Sequence, residues 1–229
     1  MPSQKRKKPT RFRNIPRVSH KFFWPLVALV LVLWFVYRAL FTFDVLFDES
    51  IGKAIFFGFP VWLYIGVSNF KPIVDSMDLR KMHKGMLLGL AYGGIYGFAA
   101  AIAAYFTKGS GIQAADLFMS DGFWWEFFLS LLTAFWESIF FFGFIMMVIM
   151  DKQKGWSLAK QVLITALIFA IFHIPNTILR FDLSVVIFQV LLMFIFGLGQ
   201  ALLFSKEKNT YALIISHAIW GMVLLVHWG

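Results

Sequence analysis

The chain has 229 residues, of which 60% are hydrophobic, 19% aromatic and only 14% charged, against an apolar share of ~45–50% in soluble domains. That composition excludes an ordinary soluble fold and predicts an integral membrane protein. With no cysteine, the chain has no disulfide framework, thiolate metal ligand or cysteine nucleophile. The formal net charge of +9 raises nucleic acid as a partner. Its distribution argues against one: the basic residues crowd into an N-terminal tail and the short loops beside apolar windows, which is the pattern of a topology signal.

Residues 1–21 carry Lys5, Arg6, Lys7, Lys8, Arg11, Arg13, Arg17 and Lys21, a basic tail expected to favour anionic membrane lipid. The apolar run 22–43 is too long for the hydrophobic region of a signal peptide and lacks a small-residue cleavage site, so it reads as a retained first span. Further apolar windows follow at 51–69, 86–106, 123–150, 158–179, 183–204 and 211–228. They predict an all-α, polytopic membrane bundle of about seven helices over 22–229. Alternating sides from the tail onward collects every Lys and Arg on one side except Arg38, Lys53, Lys108 and Arg180. The positive-inside rule then puts the N-terminus in the cytoplasm.

The third window places Gly85, Gly89, Gly93, Gly97 and Ala101 at every fourth position, which lines small residues along one helical face where a neighbouring backbone can approach. This predicts a packing spine, with Gly197 and Gly199 in the sixth window as a smaller version. The fourth window is too long for a hydrocarbon core of ~30 Å at 1.5 Å per residue and must tilt, bend or project. Ser120 or Asp121 is the expected cap at its start, and Glu126 suits the positive end of the helix. Deep within it lies Glu137, where an ionisable group costs at least ~2.5 kcal/mol.

The fifth window reads Phe169-Ala-Ile-Phe-His173-Ile-Pro175-Asn176. Pro175 lacks an amide hydrogen and is expected to kink the helix and free the Ile171 carbonyl. Asn176 lies on the face of His173 and within reach of its ring or of a trapped water. The last window holds Ser216-His217-Ala218-Ile219-Trp220-Gly221. His20 and His83 lie in basic stretches and His227 near the end of the sequence. That leaves His173 and His217 as the imidazoles deep in apolar segments.

Intramembrane Glu and His residues commonly serve only as interhelical hydrogen bonds. One Glu and two His on three helices also support two kinds of chemistry. They can hold a divalent metal such as zinc with one position open for water. Alternatively, the carboxylate acts as general base on water with an imidazole sharing the proton and a second imidazole supporting the oxyanion. No HExxH-type element fixes the geometry in advance.

The order of these segments resembles the CPBP family of intramembrane endopeptidases, which includes the CAAX-processing proteases and the bacterial Abi, or bacteriocin-immunity, proteins. The family's Glu-Glu pair followed by Arg-Gly falls on Glu137-Ser138 and Phe142-Gly143. Its Phe-x-x-x-His motif falls on Phe169 and His173, and its His-Ala-x-x-Asn/Asp element on His217, Ala218 and Gly221. The resemblance covers 123–229. It implies an intramembrane protease acting on a membrane-associated peptide or protein in a bacterial cell membrane. Glu137 and His173 would activate water, His217 would support the oxyanion, and Ser138 and Asn176 would assist. Ser138, Phe142 and Gly221 depart from the family pattern. They favour the alternative of a non-catalytic immunity, scaffold or regulatory partner of another membrane protein.

Overall fold

The structure is a computed structural model and describes residues 19–108, 122–180 and 182–228. The basic tail up to residue 18 and the expected caps Ser120 and Asp121 lie outside the described residues, as does the side chain of His227. The elements are helices: α1 (Phe23–Leu40), α2 (Val45–Ser68), the short α3 (Pro72–Asp75), α4 (Met82–Lys108), α5 (Phe123–Lys152), α6 (Leu158–Arg180), α7 (Leu183–Glu207) and α8 (Thr210–Trp228). Six described helical stretches are long and apolar enough to cross a membrane, and Thr210–Val223 within α8 is a shorter apolar one. The chain is an integral membrane helical bundle.

The second helix corrects its predicted window. It begins at Val45 rather than 51, because the Asp44 side chain accepts a hydrogen bond from the Phe47 amide at 2.9 Å and caps the first turn. The earlier start brings Asp48, Glu49 and Lys53 into the bundle, and all three are buried. Lys53 is therefore not the loop charge that the side-by-side count made it.

α5 is the central element. Between Ser138 and Met146 its turns widen into a π-helix, and every residue of that segment is buried. Apolar side chains occupy nearly its whole circumference, so it is enclosed on all sides by other helices. Phe140, Phe141, Phe142 and Phe144 fill the core, with Phe57 of α2 and Phe169 and Phe172 of α6 around them.

The glycine spine packs α4 against α8. A Cβ at Gly89 would stand 2.6 Å from Ile215 Cβ and 2.8 Å from the Ala212 carbonyl oxygen, and one at Gly93 would stand 2.5 Å from Ile219 Cδ1. The spine thus holds the helix that carries His217. Gly197 of α7 sits against Ala166 and Phe169 of α6, and Gly199 against Tyr96 of α4. The turn into α8 is tight. Lys208 takes a left-handed conformation with φ 44°, and the Asn209 side chain accepts from the Tyr211 amide at 3.1 Å.

Candidate active site

Glu137 ends the α-helical part of α5, immediately before the π-helical segment. Such widened turns are frequent at functional sites. Its carboxyl group is 3% exposed. One oxygen, Oε2, lies 3.2 Å from His173 Nε2 and 3.5 Å from His217 Nε2. The three residues expected to act together, from α5, α6 and α8, do converge.

The His173 imidazole is set from behind. His173 Nδ1 donates to the Phe169 carbonyl at 2.7 Å, and because a carbonyl only accepts, the proton on Nδ1 is fixed. Nε2 therefore faces Glu137 either with a lone pair or with a second proton. Two unprotonated acceptors at 3.2 Å repel, so this pair is built to share a proton or to divide a water between them. Phe169 packs 4.2 Å from the His173 ring and 6.0 Å from that of His217. Phe196 lies 4.9 Å from the His217 ring and stacks on Trp220. His217 Nδ1 is buried without a hydrogen-bond partner, so nothing on that edge fixes its tautomer.

Pro175 differs from the expectation. α6 continues through Pro175, and the carbonyl that takes an outside donor is that of Phe172, which accepts from Trp34 Nε1 of α1 at 3.0 Å. Asn176 does not bond the His173 ring: its Oδ1 is buried without a partner, and it is Thr177 that donates to the His173 carbonyl at 2.8 Å. Ser138 is fully buried, and its hydroxyl likewise has no partner.

Sequence reasoning missed a cation. Lys53 Nζ lies 2.6 Å from Glu137 Oε1 and also pairs with Glu49, which in turn accepts from Thr133. Its signal was present in the run Asp48-Glu49-Ser50-Ile51-Gly52-Lys53, since a lysine at the edge of an apolar window with a carboxylate four residues earlier is a candidate for intramembrane pairing. Beside it, Asp48 accepts from Tyr37 and Arg38 at 2.5 Å each.

Among the described residues, no group of three or more His, Asp or Glu side chains is arranged to hold a metal ion. Glu137 Oε1 already carries an ammonium group, so a divalent metal of the kind the sequence suggests would have Oε2, His173 Nε2 and His217 Nε2 as its donors. The arrangement can polarise a water on one carboxylate oxygen and place a second imidazole beside it.

A family model described as Rce1-like, type II CAAX prenyl endopeptidase Rce1-like, matches residues 119–223. No curated protein and no solved structure matches the chain. The matched stretch contains Glu137, His173 and His217 together, and over it this membrane protein is similar to the Rce1-like family.

Proposed function

We propose that this protein is an intramembrane endopeptidase that cleaves a membrane-associated peptide or protein with a water activated by Glu137 and His173. The supporting observation is the meeting of the two imidazoles on one buried carboxylate oxygen, at 3.2 and 3.5 Å. Glu137 takes a proton from water while the hydroxide adds to the scissile carbonyl carbon. His217, protonated on Nε2, donates to the oxyanion, and Glu137 or His173 delivers the proton to the departing amine as the C–N bond breaks. No step needs a metal. Chelation is therefore expected to leave turnover unchanged, and a loss restored by one equivalent of zinc would replace this mechanism.

The test uses the full-length protein in liposomes with prenylated CAAX peptides and unmodified membrane peptides as substrates. Glu137→Gln is expected to lower kcat on the order of 10²–10⁴-fold while the protein melts as a folded species. Unchanged turnover would remove Glu137 as the base. A second reading, a non-catalytic partner of another membrane protein, is favoured by the Lys53 ion pair, which occupies half of the carboxylate. It predicts no cleavage of any substrate and a biological phenotype that survives Glu137→Gln.

A further inference from the structure

Two pairs of residues one helical turn apart face each other across α2 and α5: Glu49 and Lys53 on one side, Thr133 and Glu137 on the other. Thr133 donates to Glu49, Lys53 bonds Glu137 at 2.6 Å, and Lys53 and Glu49 close the ladder along their own helix. Lys53 is 3% exposed, and both carboxylates it meets are buried. Neither Glu49 nor Lys53 belongs to the stretch 119–223 that carries the family match.

We propose that Lys53, divided between Glu49 and Glu137, is a positioning residue of the active site. It pins Oε1 of Glu137 and leaves Oε2 as the oxygen that meets both imidazoles.

The division matters as much as the contact. One ammonium between two carboxylates leaves one net negative charge. Because Glu49 draws on the same ammonium, Glu137 is held in place without being fully neutralised and keeps its strength as an acceptor. The position in α5 where the family pattern has Arg holds Phe142, which is fully buried against Phe169. The cation beside the carboxylate instead comes from α2. A lysine used only for packing at this depth has an apolar residue as a cheaper equivalent; one that orients a reacting carboxylate does not.

The kinetic consequence rests on the protease reading, and a second readout does not. In liposomes, Lys53→Met is expected to lower kcat about 10²-fold, the effect of a misplaced reacting group, with KM little changed. Lys53→Arg should recover part of the rate, and added ethylamine should raise the Lys53→Met rate severalfold. Independently of turnover, Glu137 paired with Lys53 should resist dicyclohexylcarbodiimide, and Lys53→Met should raise its labelling.

If the wild type cleaves nothing, the protease reading fails and the labelling still decides the Lys53 contact. Labelling that does not change, or a Lys53→Met kcat within about threefold of wild type, overturns the proposal. Should Lys53→Met not fold, Glu49→Gln carries the test. It concentrates the ammonium on Glu137 and is expected to lower kcat without moving KM; an unchanged kcat overturns the division of charge.

Discussion

Gly221 stands where the family pattern has Asn or Asp, and its neighbour explains the glycine. A Cβ at this position would lie 2.5 Å from Ser130 Oγ, and that hydroxyl is held by donating to the Ala218 carbonyl at 2.8 Å. Gly221→Asn is therefore expected to destabilise the protein by about 1–3 kcal/mol, the range for overpacking a filled site. Adding Ser130→Gly should return most of that loss in thermal melts. At this scale the sequence was readable where a polar side chain interrupts an apolar run, as Glu137, His173 and His217 do. It misled where two charges neutralise each other. Glu49 and Lys53, four residues apart, look like a loop in a hydropathy window, although each is buried through a partner on another helix. Asn176 does not reach the His173 ring for a related reason. Spacing on one helix sets which side chains share a face, but the His173 ring had already found the Phe169 carbonyl on the preceding turn.

The α4–α8 pair shows how one helix seats another that carries a candidate site residue. The glycine face of α4 admits Ile215 and Ile219 of α8, and His217 lies between those two residues in sequence. Gly93→Leu is expected to push α8 away, lowering the melting temperature and cutting kcat by moving His217 off Glu137. Gly94→Leu on the same helix, where an added Cβ meets nothing within 4 Å, serves as the control. The spine was legible because a period of four survives in any helix. The π-helical widening at Ser138–Met146 was not, since it answers to packing by surrounding helices rather than to local residue preference. The start of α2 was missed because a capping Asp44 and the acidic residues after it lower hydropathy in the very turn they build.

Over the whole molecule, the N-terminal helix is tied to the end of α5. His20 bonds Tyr64 and, at 2.8 Å, Asp151, while Lys152 Nζ reaches the His20 carbonyl at 3.3 Å. His20→Ala is expected to cost about 1–3 kcal/mol, as a hydrogen bond to a charged group does, measured as a lower melting temperature. The absence of native cysteine allows a topology test: Lys154→Cys should react with a membrane-impermeant maleimide only from the cytoplasmic face. Labelling of intact cells from outside would reverse the orientation drawn from the loop charges.

The ladder between α2 and α5 also bears on how the chain enters the bilayer. Residues 45–68 are made before residues 123–152, so Lys53 reaches the lipid with Glu49 as its counter-ion within a single turn, and that segment can partition without a bare charge. Glu137 follows later, and its first matching cation is already waiting in the membrane. The earlier half of the chain thus supplies the cation that the carboxylate of the later half pairs with. A C-terminal segment inserted without α2 would carry a carboxylate with no ammonium group to receive it.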